Sequence, residues 1–147
     1  MTIHLDRIRF GPERDLIDLL FDRFGLAAIL DHFETAGEVI PYWEYILGTQ
    51  LRLTPLLAPR LIDLLTEVCE RLGFTEPIDL FVQESSEING FSLHSMRGRP
   101  HVISVNSGMV ERMNDCELKF VLGHEVGHLA YGHYRSRLVP VALGEDT

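Results

Sequence analysis

The chain has 147 residues, 46% hydrophobic and 24% charged, enough apolar material to offset the entropy of ordering one domain over 1–147 and to argue against disorder. Twenty-two acidic against 13 basic residues leave a net charge of −9. That balance argues against a nucleic-acid partner, which asks for a basic footprint, and against adsorption to an anionic membrane. The two cysteines, Cys69 and Cys116, are too few for a disulfide-dense secreted scaffold; both fall in apolar-periodic segments, where buried free thiols are expected.

Asp6 and Arg7 follow Met1–Leu5 at once, so no signal-peptide core forms, and no apolar run reaches bilayer-spanning length. The expectation is a soluble, cytoplasmic chain. Pro12, Glu13 and Asp15 suit a helix N-terminus, and Leu16, Ile17, Leu19, Leu20 and Phe24 supply its apolar stripe up to Gly25. Ala27 to Phe33 reads as a second short helix ending before Gly37. Val39–Leu53, rich in aromatics (Tyr42, Trp43, Tyr45), fits no single period, although Pro41 can open a helix there. Leu57, Leu61, Leu64, Leu65, Val68 and Leu72 recur at helical spacing with Gly73 as the stop, and Pro59 either bends the first turn or marks the true start. Residues 1–75 thus read as a helical subregion.

After Pro77 the period changes to two. Ile78, Leu80 and Val82 predict a strand, Ile88 to His94 a second with Gly90 inside it, and Val102, Ile103 and Val105 a third beyond the Arg97-Gly98-Arg99-Pro100 turn. Asn106 or Ser107 caps a short helix through Met113. Asn114 or Asp115 caps the next, whose apolar side is Leu118, Val121, Leu122, Val126 and Leu129. The fold class is therefore α+β: a helical N-terminal half, then a small mixed or antiparallel sheet packed on the last helix.

That helix carries His124-Glu125-Val126-Gly127-His128, an H-E-x-x-H pattern. A spacing of four puts both imidazoles on one face, one turn apart. Imidazole nitrogen is a good ligand for Zn²⁺, and the adjacent Glu125 can face a bound water without ligating the metal. The pattern suits metal-assisted hydrolysis with Glu125 as general base. A glycine inside a helix costs about 1 kcal/mol against alanine, so Gly127 is expected to allow close approach of a strand. His133 lies about 140° around the helix from His128 and reads as a packing or orienting residue rather than a ligand. Glu111 and Glu117 read as solvated faces, His94 and His101 as surface or packing residues, and Arg97 and Arg99 equally as a charged hairpin tip or as a draw for a substrate carboxylate.

Three stretches together resemble peptidase family M48, the group that includes the membrane protease HtpX: Glu84 to Ser92, Pro100 to Gly108, and Leu118 to His133. The resemblance covers roughly residues 78–135. It implies a zincin-like fold of the gluzincin type over 76–147, with His124 and His128 as Zn²⁺ ligands and Glu125 as catalytic base. It also implies that the Asn89–Ser92 strand borders the cleft, with Asn89, Gly90 and Phe91 binding an extended peptide or protein substrate; Gly90 stands where relatives commonly have alanine. The family takes its third zinc ligand from a glutamate in a downstream helix. No such motif occurs in the 19 residues after His128, where Glu145 and Asp146 are the remaining carboxylates, so the expectation is a C-terminally truncated zinc endopeptidase. The alternatives are a non-catalytic interaction or regulatory module with a protease-like fold, and a zinc hydrolase acting on a small molecule.

Overall fold

The computed structural model describes residues 40–95 and 98–132. In chain order the elements are α1 (Ile40–Thr49), β1 (Leu51–Leu53), α2 (Pro59–Leu72), β2 (Ile78–Gln83), β3 (Gly90–Leu93), β4 (His101–Asn106), α3 (Ser107–Arg112) and α4 (Asp115–Ala130). The helices expected before residue 40 lie outside the described residues.

Local chemistry accounts for the boundaries. Pro59 occupies the first turn of α2, where its missing N–H costs nothing, so it marks the true start of that helix. Gly73 ends α2 in the left-handed conformation at φ 66°, and Phe74 N–H reaches back to Cys69 O at 2.9 Å. Asn114 caps α4 in a reciprocal box: Glu117 N–H donates to Asn114 Oδ1 at 3.0 Å, and Asn114 N–H donates to Glu117 Oε2 at 2.9 Å. Glu117 is thus exposed but engaged in capping.

The four strands form one mixed sheet in the order β1-β2-β4-β3. β2 and β4 pair in parallel at the centre, with Leu80 opposite Ile103. β1 joins antiparallel to β2, and β3 antiparallel to β4, with Gly90 opposite Val105 and Leu93 opposite Val102. Among the described residues β3 is consequently a sheet edge.

Both faces of the sheet are covered. On one, Leu53, Leu80, Ile103 and Val105 meet Leu61, Leu64, Leu65 and Val68 of α2 and Leu118, Leu122, Val126 and Leu129 of α4. On the other, Phe81 and Val102 pack against Ile46 of α1, with Phe91 and Leu93 beside them. This explains why Phe81, an out-of-phase position in the alternation of β2, is as buried as Leu80, and why every residue of β4 is buried. Each such apolar side chain contributes about 1.5–3 kcal/mol on burial. α2 and α4 lie side by side, tied at the surface by Arg60–Asp115 at 2.7 Å and Lys119–Glu67 at 3.3 Å.

Two expectations are corrected. Cys69 is only half-buried and Cys116 is exposed; Cys116 sits about 200° around the helix from Leu118, opposite the core stripe. Gly127 meets no close strand, because a Cβ there would find nothing within 4 Å among the described residues. The tight glycines are Gly108 and Gly90, where a Cβ would lie 2.6 Å from Ser86 O and 2.9 Å from Ser104 O. No helix among the described residues is long and apolar enough to cross a membrane.

Candidate metal centre

α4 positions the polar triplet through its own burial stripe. Leu118, Leu122, Val126 and Leu129 face the core, which turns His124 outward and leaves Glu125, beside Val126, on the inner flank. Glu125 is buried at 7% exposure, while His124 is exposed and His128 half-buried. The imidazoles stand edge-to-face with centroids 4.4 Å apart and an interplanar angle of 86°. Their Nε2 atoms are 2.8 Å apart, and donor atoms of His124, Glu125 and His128 all lie within 4.8 Å of one another.

The donor set fits a divalent cation. The two rings now share one hydrogen bond, one nitrogen donating and the other accepting, and a small ring movement would turn both lone pairs toward a cation. A buried carboxylate is costly without a compensating charge, and a cation between the imidazoles would provide one. Among the described residues no further His, Cys, Asp or Glu joins this group. His133, Glu145 and Asp146 lie outside the described residues.

Beside α4 runs the sheet edge. The parity of β3 places Gly90 and Ser92 on the face that α4 covers, and Phe91 and Leu93 on the face that α1 covers. Asn89 is exposed just before the strand, its carbonyl accepting from Asn106 N–H at 3.0 Å. Of the three residues expected to meet substrate, Asn89 is exposed ahead of the strand with its backbone carbonyl turned to β4, and Gly90 opens the edge strand itself. Phe91 is placed differently: its side chain packs in the far-face cluster, where it anchors the strand. Gly90 fits the local geometry because β4 approaches so closely that a side chain would strike the Ser104 carbonyl.

A second polar cluster, which the sequence suggested only as surface or packing residues, lies at the base of the β3–β4 connection. His101 is 1% exposed. Its Nδ1 accepts from Ser95 N–H at 2.8 Å, which fixes the proton of the neutral ring on Nε2, 3.5 Å from Glu76 Oε2. The ring packs against Phe74 and His94. Burial pushes the His101 pKa below its ordinary value; His94 lowers it further and Glu76 opposes both.

A helix-borne H-E-x-x-H cluster beside an antiparallel edge strand defines a zincin-like architecture. The family model for peptidase family M48 matches residues 55–144, and the chain belongs to that family. The match begins ahead of α2, so it takes in a helix that lies outside the three resembling stretches. Metalloprotease LoiP of Escherichia coli strain K12 is 34% identical over 85 residues, 56% of this chain and 31% of LoiP. The plastoglobule-localized metallopeptidase 48, chloroplastic, of Arabidopsis thaliana is 33% identical over 87 residues, 59% of this chain and 25% of that protein. Protease HtpX of Acinetobacter baumannii strain AYE is 35% identical over 72 residues, 49% of this chain and 23% of HtpX. The chain therefore spans less than a third of the length of these curated relatives.

Proposed function

We propose that this chain carries the catalytic helix and substrate strand of a zinc-dependent endopeptidase. The observation that carries the reading is the His124–Glu125–His128 cluster set beside an open antiparallel edge. Membership of family M48 and the metalloprotease names of the relatives support it.

In this reading His124 and His128 would hold the metal. A zinc ion there supplies Lewis acidity toward water and a peptide carbonyl. Glu125, one position along the helix and out of bulk solvent, takes a proton from the attacking water on a carboxylate oxygen and delivers it to the departing amine. The backbone of β3 at Gly90 and Ser92 aligns an extended peptide by strand addition, which is sequence-tolerant and suits protein substrates. A third protein ligand is expected for a catalytic zinc; in this reading it comes from outside the described residues.

The test is metal content and peptidase assay on the wild type and Glu125→Gln, in this chain and in the full open reading frame. Wherever the wild type cleaves, activity is expected to fall at least a hundredfold in Glu125→Gln, as loss of a general base does, with zinc retained. Cleavage unaffected by the substitution would defeat the assignment of the base. A protein that binds no zinc in either form would favour a non-catalytic module.

A further inference from the structure

Backbone groups along an antiparallel strand point alternately toward the neighbouring strand and away from it. The Asn106 N–H to Asn89 O bond makes those two a hydrogen-bonded pair, and the register sets Gly90 opposite Val105 and Ser92 opposite Ile103. Phe91 therefore turns its N–H and C=O to β4. Gly90 and Ser92 turn theirs to the open edge, where a peptide would dock. Among the described residues one of these four outward groups is engaged: Gly90 N–H donates to Oδ1 of Asn89 at 2.8 Å. The strand beneath that bond is held closely, since the space for a Gly90 Cβ ends 2.9 Å away at Ser104 O.

We propose that Asn89 is a latch on the docking edge: its carboxamide occupies the Gly90 N–H in the peptide-free protein and leaves when an extended peptide pairs with β3. The proposal rests on the peptidase reading and deepens it. A peptide residue opposite Ser92 exchanges both hydrogen bonds at once. Opposite Gly90 its N–H reaches the glycine carbonyl, but its own carbonyl meets a donor that Asn89 already holds. Docking therefore either displaces Asn89 or forgoes one bond. In the peptide-free state the same contact satisfies an edge donor that would otherwise invite pairing with another chain.

The test uses the full open reading frame with two variants. Asn89→Ala removes the acceptor, and Asn89→Asp keeps an acceptor oxygen at the same place. With an internally quenched peptide that the wild type cleaves, Asn89→Ala is expected to lower KM about 3- to 10-fold, the worth of one neutral hydrogen bond, with the change in KM rather than kcat. Asn89→Asp, whose charged oxygen holds the Gly90 N–H at least as tightly, is expected to show no such fall in KM. Amide hydrogen exchange read at Gly90 without peptide is expected to speed up several-fold in Asn89→Ala and not in Asn89→Asp. A rise in KM for Asn89→Ala would mean that the side chain itself binds peptide, and overturns the latch. An unchanged Gly90 exchange rate overturns the cap. A wild type that neither cleaves nor binds zinc overturns the peptidase reading and the docking half of the proposal, while the exchange rates still decide whether the cap exists.

Discussion

A histidine ring removed from water takes up a proton only at a cost in stability. His101 is in that position, and the groups facing it are Glu76, His94, Phe74 and the Ser95 N–H. Protonation of Nδ1 would break the bond from Ser95 and place a charge beside His94. The folded-state pKa is lowered, so the unfolded chain binds more protons once pH falls below the ordinary histidine value of about 6.5. The stability from neutral His101 is complete above that value and is lost as pH drops through it toward the depressed folded pKa. Thermal melts between pH 7.5 and 5, in chelator to silence the metal site, should therefore show a fall in Tm that His101→Gln flattens. An equal slope in the variant would assign the acid sensitivity elsewhere. None of this was legible from residue type: a histidine at a strand start reads the same whether its ring is wet or buried, and only the packing of Phe74 and His94 decides it.

Elements were legible where one face alone had to be buried. α2 and α4 show helical spacing because each offers one stripe to the sheet, and Gly73 and the Asn114–Glu117 pair mark their ends by chemistry that local sequence carries. β1 escaped because three residues, Leu51–Leu53, are too few to establish a period; it exists because β2 supplies its partners. α1 was ambiguous because it sits over the far face of the sheet, a layer that the alternation of β2 did not announce. The loop between β2 and β3 has its own device. Ser85 O accepts from Gly108 N–H at 2.8 Å and from Ser107 Oγ at 3.2 Å, and Ser85 N–H donates back to Ser107 Oγ. This clamps the loop to the start of α3 and so fixes where β3 begins. A Cβ on Gly108 would lie 2.6 and 2.8 Å from the Ser86 carbonyl oxygen and carbon, backbone atoms that cannot rotate away. Gly108→Ala should cost about 1–3 kcal/mol, as overpacking does, lowering Tm by several degrees. Circular dichroism should find the helices retained, and under the proposed function peptide cleavage should fall, because the displaced element is the proposed docking strand; a variant with wild-type Tm would show that the loop yields freely.

At the scale of the whole molecule, the H-E-x-x-H spacing disclosed which side chains share a face, but the two covered sheet faces determine what that face looks onto. The core fixes α4 along its length through Leu118, Leu122, Val126 and Leu129, so the two imidazoles are brought within 2.8 Å in the folded chain and are not held together once it unfolds. A cation bound there is therefore linked to global folding. Zinc at a hundredfold excess over its dissociation constant should stabilise the fold by about 2.7 kcal/mol, or roughly 5–10 °C in Tm for a chain of this size. A chelator should reverse the shift. Single substitutions His124→Ala and His128→Ala should each abolish most of it. Glu125→Gln should keep most of it, because the assigned role of Glu125 is to move a proton rather than to hold the metal. Calorimetry with and without zinc on the four proteins separates these roles without recourse to activity. If Glu125→Gln lost the shift as completely as the histidine variants, the buried carboxylate would be a ligand, and the general base would have to be sought elsewhere.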